Sequence, residues 1–281
     1  MDRRENNIRI FQNTRVLCGE HPTLKASIEQ SRKMQVMISE KQKLDIPNLN
    51  LYSEPANIVV SKKRTYEAAY AYTRLGLRTA VLNFASATNP GGGVLKGSSA
   101  QEESLCRCST LYFCLIVKKM WDSFYIPHRI EGNPLHNDDC IYTPDVTIFK
   151  SDTDDPKLLP ERAWYKVDVL SCAAPNLRPQ PSNRMNPGDV DRHISISDED
   201  LKALHLKRLN RILSIAAANN DQAIILGAFG CGAFMNNPEI VAAAAKETIR
   251  LFNHAFKFIE FAVYCRPGDD TNYRCFQNIL R

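Results

Sequence analysis

The sequence predicts an α/β protein with a mixed, mostly parallel sheet covered by helices on both faces. Apolar runs of strand length alternate with helical patterns from Thr65 to the C-terminus, an alternation typical of βαβ units. Two strand ends are followed by glycine-rich loops, Asn89–Gly97 and Gly227–Phe234. Because ligands bind outside the carboxyl ends of parallel strands, both loops are candidate ligand sites.

The first part of the chain is predicted to be a helical extension, residues 1–60, packed on a domain formed by residues 61–281. The extension is charged and ends in an extended polar connection. Thr65–Leu75 is a predicted helix because its apolar residues recur at helical spacing, and Gly76 ends it. Thr79–Ala85 is then predicted to be a buried strand.

The remaining elements follow from the same patterns. The predictions are, in order, helix Ala100–Val117, strands Cys140–Lys150 and Tyr165–Ala173, a long helix from Ser197, strand Gln222–Gly227, helix Pro238–Phe256, strand Phe258–Cys265 and a short final helix. Pro175–Asp191 contains four prolines and no hydrophobic periodicity. A loop of this length in a compact domain is usually a lid, a binding loop or disordered.

The composition is that of an ordinary soluble, globular protein. The formal net charge of +5 helps to attract a phosphate-bearing substrate, although a mixed solvated surface explains it equally well. The charge is too weak and dispersed to indicate binding of duplex nucleic acid. No apolar run approaches the ~20 residues that span a bilayer, and the nine cysteines indicate reduced thiols in the cytoplasm.

The first glycine loop contains Gly91, Gly92 and Gly93, and Gln101-Glu102-Glu103 follows it. Glycine lacks a Cβ, so three in a row allow backbone N–H groups to come close to a ligand. A tight turn would need only one or two glycines. The adjacent carboxylates at a helix start could be simple dipole partners, or one could hold a substrate hydroxyl while the other transfers a proton.

The second glycine loop, Gly227–Asn236, leads into a helix that begins at Pro238. Backbone N–H groups of such a turn form an anion-binding nest, which suits a diphosphate. Phe229 and Phe234 either pack against a ribose or base or belong to the core. Cys231 has no evident histidine partner, so we interpret it as a backbone donor position with a small side chain rather than a nucleophile.

The combined motif resembles the signature of the poly(ADP-ribose) glycohydrolases, in which three glycines are followed after seven residues by Gln-Glu-Glu. The stretches NFASATNPGGG and GAFGCGAF are similar to the microbial branch of that family, and the resemblance runs from about Thr65 to the C-terminus. It implies a macrodomain, which is a three-layer α/β/α sandwich that binds ADP-ribose.

The resemblance also implies roles for individual residues. Glu103 would protonate the leaving ribose hydroxyl and then deprotonate the attacking water, and Glu102 would hydrogen-bond the neighbouring ribose, helped by Gln101. The residues implied to contact the diphosphate and the distal ribose are Gly91, Gly92 and Gly93 in the first loop and Gly230, Cys231, Gly232, Ala233 and Phe234 in the second. No metal or cofactor is needed in this scheme.

The sequence departs from the animal enzymes at two points. Ser86 stands where animal members carry an asparagine, so the ribose contact there falls to Ser86 or to nearby Asn89. No counterpart of the tyrosine-bearing clasp of the animal enzymes is evident, which favours trimming from the polymer end over internal cleavage.

The expected activity is therefore hydrolysis of poly(ADP-ribose) or of ADP-ribosylated macromolecules, with ADP-ribose as the product. The alternatives are removal of a single ADP-ribose from protein or nucleic acid, and a non-catalytic ADP-ribose-binding module.

Two groups of possible metal ligands are better explained as structural. Cys106 and Cys108 would point about 200° apart on a helix, so they cannot easily share an ion. His136–Cys140 mixes ligand types in a segment that we interpret as a polar turn. Buried thiols and a solvated loop account for both groups.

Overall fold

The computed structural model describes residues 2–44, 49–182, 184, 187–188 and 192–281. The strands of these residues are β1 (Val36–Ile38), β2 (Asn57–Ser61), β3 (Thr79–Phe84), β4 (Cys140–Ile148), β5 (Tyr165–Cys172), β6 (Ala223–Leu226) and β7 (Phe258–Ala262). They form a seven-stranded sheet in the spatial order β1-β4-β5-β3-β6-β7-β2. Strands β5, β3, β6, β7 and β2 run parallel, whereas β4 is antiparallel to β5 and to β1. The mostly parallel sheet is therefore confirmed.

Helices cover both faces of the sheet. They are α1 (Arg3–Glu20), α2 (Pro22–Met34), α3 (Thr65–Arg74), α4 (Gln101–Cys108), α5 (Leu111–Leu115), α6 (Lys118–Met120), α7 (Ile126–Glu131), α8 (Asp198–Ala218), α9 (Pro238–Leu251) and α10 (Thr271–Leu280), with a π-helical turn at Trp121–Tyr125. Successive side chains of a strand point to opposite faces. In β3, Ala80 and Leu82 accordingly pack with α8 and α9, while Val81 packs with α3 and α4. The predicted three-layer sandwich is confirmed.

The described residues of the N-terminal segment form helices α1 and α2 and also two strands of the sheet. Strand β1 pairs with β4 at one edge, and β2 pairs with β7 at the other. The predicted boundary between residues 60 and 61 falls inside β2. A short edge strand has little hydrophobic periodicity, so the sequence pattern indicated only the helices of the N-terminal segment and not its strands.

The helix predicted for Ala100–Val117 is interrupted, so that prediction was wrong in its length. Helix α4 ends at Cys108, and Ser109 is extended and forms a bridge with Ile148 of β4. The backbone N–H of Thr110 donates to Thr147 O at 3.0 Å, and that of Phe149 donates to Cys108 O at 3.0 Å. Pairing with β4 replaces the helical hydrogen bonds at this point.

The other differences are at element ends and in the proline-rich segment. Helix α9 ends at Leu251, and β7 ends at Ala262, each a few residues before its predicted end. Part of the predicted loop Pro175–Asp191 lies outside the described residues. Its described residues contribute no helix or strand to the fold.

Candidate active site

Both glycine loops leave the same edge of the sheet. They follow β3 and β6, which are neighbouring parallel strands. The packing between the strand ends is close, because a Cβ on Gly227 would lie 2.9 Å from Cζ of Phe84. The two loops that the sequence singled out are therefore adjacent at the carboxyl edge.

The first loop requires glycine at positions 91 and 92, because neighbouring side chains occupy the space where a Cβ atom would lie. Gly91 and Gly92 have φ values of +70° and +57°, a region that other residues rarely adopt. A Cβ on Gly91 would lie 2.7 Å from Cδ2 of Tyr112, and one on Gly92 would lie 2.6 Å from Oε1 of Glu103. The loop is thus pressed directly against the second carboxylate.

Glu103 has one oxygen held and one oxygen without a partner. The backbone N–H of Gly93 donates to its Oε1 at 2.8 Å, whereas its Oε2 is buried and makes no hydrogen bond among the described residues. The side chain is buried, and this burial raises the pKa of its carboxyl group. A carboxyl with these properties can hold a proton and pass it from Oε2.

Glu102 is held at both oxygens. The backbone N–H of Ser86 donates to its Oε2 at 2.8 Å, and Nδ2 of Asn83 donates to its Oε1 at 3.3 Å. Burial, followed by the neighbouring charge of Glu103, raises the pKa of Glu102 to about 8. Glu102 is thus fixed in place, with lone pairs left for a ligand hydroxyl.

Asn83 is a site residue that the sequence reasoning missed. Its side chain is completely buried, and besides Glu102 it donates to Oγ of Ser171 at 3.0 Å. The available signal was an asparagine inside the otherwise apolar strand TAVLNF, because a buried polar side chain needs partners.

The side-chain amide of Gln101 is hydrogen-bonded to other residues of the protein. Its Oε1 accepts from the backbone N–H of Phe84 at 2.9 Å, and its Nε2 donates to Leu82 O at 2.8 Å and to Thr65 Oγ1 at 3.0 Å. These bonds join the start of α4 to the end of β3 and to the start of α3.

Ser86 and Asn89 shape the first part of the loop. Oγ of Ser86 accepts from the backbone N–H of Asn89 at 3.1 Å. Arg129 of α7 donates to Oδ1 of Asn89 at 2.8 Å and to Thr88 O at 2.7 Å. The Arg129 guanidinium group, which no sequence pattern indicated, therefore lies beside the loop.

The second loop turns around Asn236. Gly230 has φ +80°, and a Cβ there would lie 2.8 Å from Nδ2 of Asn236. Nδ2 donates to Gly230 O and Pro175 O at 3.1 and 2.7 Å, and Oδ1 lies 2.8 Å from Nε2 of His205. Gly232 and Ala233 are exposed at the tip of the loop, where their backbone can reach a ligand.

The two aromatic residues of the second loop lie in different places. Phe229 is completely buried, so of the two roles considered for it, core packing is the one that the structure favours. Phe234 is half-buried, and the Arg178 guanidinium carbon lies 5.4 Å from its ring centre. Burial raises the pKa of the Cys231 thiol, which disfavours the nucleophilic thiolate.

No metal cage and no membrane span are found in the part of the chain that the structure describes. Among those residues, no three His, Cys, Asp or Glu side chains are grouped so that they could bind an ion. None of their helices combines the length and the apolar character that crossing a membrane requires.

The three-layer sandwich, the paired glycine loops and the buried carboxylates define a macrodomain-like protein. The chain belongs more particularly to the microbial-type poly(ADP-ribose) glycohydrolases, because the model of their catalytic domain matches residues 5–151. This family consists of glycosidases.

Solved structures of bacterial poly(ADP-ribose) glycohydrolases are similar over nearly the whole chain. The enzyme from Thermomonospora curvata, bound to the inhibitor ADP-HPD, is 28% identical with a TM-score of 0.78, over 98% of this chain and 99% of that one. The enzyme from Deinococcus radiodurans, in complex with ADP-ribose, is 30% identical with a TM-score of 0.75, over 90% and 96% of the two chains. No curated protein matched the sequence significantly.

Proposed function

We propose that the protein hydrolyses the ribose–ribose O-glycosidic bond of poly(ADP-ribose) from the chain end and releases ADP-ribose. The observation that carries the proposal is the free, buried Oε2 of Glu103 beside a glycine loop. Family membership and the similarity to an enzyme solved with ADP-ribose support it.

Glu103 acts as both acid and base in this mechanism. With its pKa raised by burial, the carboxyl group donates its proton from Oε2 to the leaving ribose oxygen as the glycosidic bond breaks. The resulting carboxylate then takes a proton from the water that attacks the oxocarbenium-like carbon. The hydrogen bond from Gly93 N to Oε1 keeps the carboxyl group oriented through both steps.

The surrounding groups hold the substrate in place. Glu102, fixed by Ser86 and Asn83, accepts hydrogen bonds from ribose hydroxyls of the neighbouring unit. Residues 230–234 of the second loop supply backbone N–H groups to the diphosphate. The first glycine loop wraps the diphosphate and the distal ribose, and Phe234 packs against the ribose. Binding energy from the diphosphate is thereby used to orient the scissile bond.

Release of ADP-ribose from purified poly(ADP-ribose) tests the proposal. Wild-type protein should release monomeric ADP-ribose without internal fragments. Glu103→Gln should bind ADP-ribose within about threefold of wild type but lose at least about a thousandfold in kcat, because an amide cannot transfer the proton. Glu29→Gln, on the exposed face of α2, is the matched control and should remain fully active.

The other outcomes each reject part of the proposal. Activity on a mono-ADP-ribosylated protein alone would assign the enzyme to single-unit removal. Binding of ADP-ribose with no cleavage of either substrate would make the protein a non-catalytic module. Turnover by Glu103→Gln would remove Glu103 from the mechanism.

The proposed compartment is the reducing cytoplasm. All nine cysteines are free thiols, and six of them are buried, where they act as small apolar side chains. Thiol titration of the protein isolated under alkylating conditions would contradict this assignment if it found disulfides.

A further inference from the structure

We propose that helix α1 holds the first glycine loop against Glu103, and that Asn7, Phe11 and Thr14 are positioning residues for the hydrolysis. The inference rests on the proposed function. Among the described residues, none of these three forms a hydrogen bond with Glu102 or Glu103.

The three side chains form one buried stripe on α1. They are spaced four and three residues apart, which places them on the same helix face. Their exposed fractions are 3% for Asn7, 1% for Phe11 and 0% for Thr14. The same helix exposes Asn13 on another face. An amide and a hydroxyl that are fully buried must be matched to specific partners.

Asn7 is bonded to the end of the glycine loop. Its Nδ2 donates to Gly97 O at 3.0 Å. Gly97 has φ +77°, and a Cβ there would lie only 2.4 Å from the backbone oxygen of Arg4. Helix and loop therefore pack so closely that no other residue fits at position 97. Arg4 adds a bond from Nε to Lys96 O at 2.8 Å.

A short chain of hydrogen bonds leads from this contact to the catalytic carboxyl group. Gly97 caps the 3-10 turn Val94–Lys96, and the N–H of the next residue, Ser98, donates to Gly93 O at 3.2 Å. The N–H of Gly93 in turn donates to Oε1 of Glu103. Displacement of Gly97 would be passed directly to the group that orients Glu103.

Phe11 and Thr14 support the same segment at two other points. The Phe11 ring packs edge-on against Tyr112 with 4.9 Å between ring centres, and Tyr112 is the residue that lies against Gly91. Oγ1 of Thr14 donates to Arg107 O at 2.6 Å, and Nη1 of Arg107 donates back to Ser98 O at 2.6 Å. Helix α1 thus contacts Gly97 and Arg107 directly and reaches Gly91 through Tyr112.

Asn7→Ala, compared with Asn13→Ala, tests the inference. Both variants remove an amide from α1 and change helix propensity equally, but only the first breaks a bond to the loop. Asn7→Ala should lower kcat by about tenfold to a hundredfold, because a shift of about 1 Å in a reacting group has an effect of that size. Affinity for ADP-ribose should change by less than about threefold, and Asn13→Ala should match wild type.

Hydrogen exchange provides a second readout that does not depend on turnover. Asn7→Ala should speed exchange at the loop amides of residues 91–98 while β6 amides stay protected. If the wild type cleaves no polymer, the proposed function fails, and exchange still decides whether α1 holds the loop. Unchanged loop exchange, or a kcat loss fully explained by global unfolding, would overturn the inference.

Thr14 provides a second pair of variants in case Asn7→Ala does not fold. Thr14→Val keeps the shape but removes the hydroxyl group, which donates to Arg107 O and accepts from Lys150 Nζ, whereas Thr14→Ser keeps it. The valine variant should lose about tenfold or more in kcat, and the serine variant should lose clearly less. A loss in the serine variant as large as that in the valine variant, or larger, would show that the hydroxyl group is not what matters at position 14, and the positioning role would be rejected.

Discussion

Adjacent glutamates at positions 102 and 103 differ in what surrounds them. Both carboxyl groups are buried, but Glu102 is held at both oxygens and Glu103 at one. The difference arises because neighbouring side chains on a helix point about 100° apart. One points toward the end of β3 and the other toward the glycine loop, so a single dipeptide supplies a fixed acceptor and a proton carrier.

The raised pKa of Glu102 predicts a pH-dependent stability. Its pKa is about 8 in the folded protein against 4.5 for the ordinary group. Between these values the folded state holds a proton that the unfolded state has released, so stability is greatest below the unfolded pKa and falls as pH rises through 8. Glu102→Gln cannot titrate. It should gain stability over wild type with rising pH, by up to about 1.4 kcal/mol per pH unit.

Urea unfolding at about pH 5, 6.5 and 8 measures this difference. The glutamine amide can be accommodated, since Oδ1 of Asn83 is free to accept from it after the Asn83 amide flips. Glu29→Gln, at an exposed position, should show no pH-dependent difference from wild type. If wild type and Glu102→Gln had parallel pH profiles, Glu102 would not be a protonated, buried group.

Single residues show where sequence reasoning works and where it stops. The proximity of Glu103 to the glycines was predictable because a rare motif and the chemistry of glycine point to the same place. The property that suits Glu103 to proton transfer is an oxygen without a hydrogen-bond partner. This property depends on which N–H groups the fold places beside the carboxyl group. Phe229 shows the opposite case, because an aromatic residue beside glycines has the same sequence pattern whether it faces a ligand or the core.

At the scale of elements, the junction between β3 and α4 places the carboxylates. Gln101 forms two hydrogen bonds across this junction to the β3 backbone and a third to Thr65 of α3. The resemblance to the family implied that Gln101 helps to position the substrate. Its geometry suggests that it does so indirectly, by fixing the helix that carries Glu102 and Glu103.

Gln101→Ala separates a structural role from ligand contact. The variant leaves Phe84 N and Leu82 O without partners, so we expect the free energy of unfolding to fall by about 2–4 kcal/mol. Affinity for ADP-ribose, measured by calorimetry on the folded fraction, should stay within about threefold of wild type. Gln12→Ala, on an exposed position of α1, is the control. A large loss of affinity at unchanged stability would show that Gln101 contacts the ligand.

The predicted and observed elements differ for a physical reason. Strands β3 to β7 and helices α3, α8 and α9 have strong periodicity or clear caps, and the sequence predicted all of them. The break between α4 and α5 has no such signal in the sequence. It depends on the pairing of Ser109 with Ile148, which are far apart along the chain, and local patterns do not report contacts of that kind.

At the scale of the whole molecule, the described residues of the N-terminal segment take part in both the sheet and its apolar core. They supply both edge strands of the sheet, and Phe11 lies in the same apolar cluster as Val81 and Val169 of the central strands. Nζ of Lys150, a buried residue that follows β4, donates to Ile10 O and Thr14 Oγ1 of α1 at 3.0 and 2.8 Å. These contacts predict that α1 unfolds together with the sheet and not as a separate unit.

Phe11→Ala tests this cooperativity. Removing a fully buried ring should lower the free energy of unfolding by about 3–5 kcal/mol, whereas Val16→Ala, at a half-exposed position of the same helix, should change it little. Pulsed hydrogen exchange across a urea series can follow α1 and β3 peptides separately. In both variants the two peptides should lose protection at one urea concentration, and that concentration should be lower in Phe11→Ala. If α1 lost protection first while β3 kept the wild-type urea midpoint, α1 would be a helix that unfolds separately from the sheet. Its contacts with the first glycine loop would then not be needed for the fold.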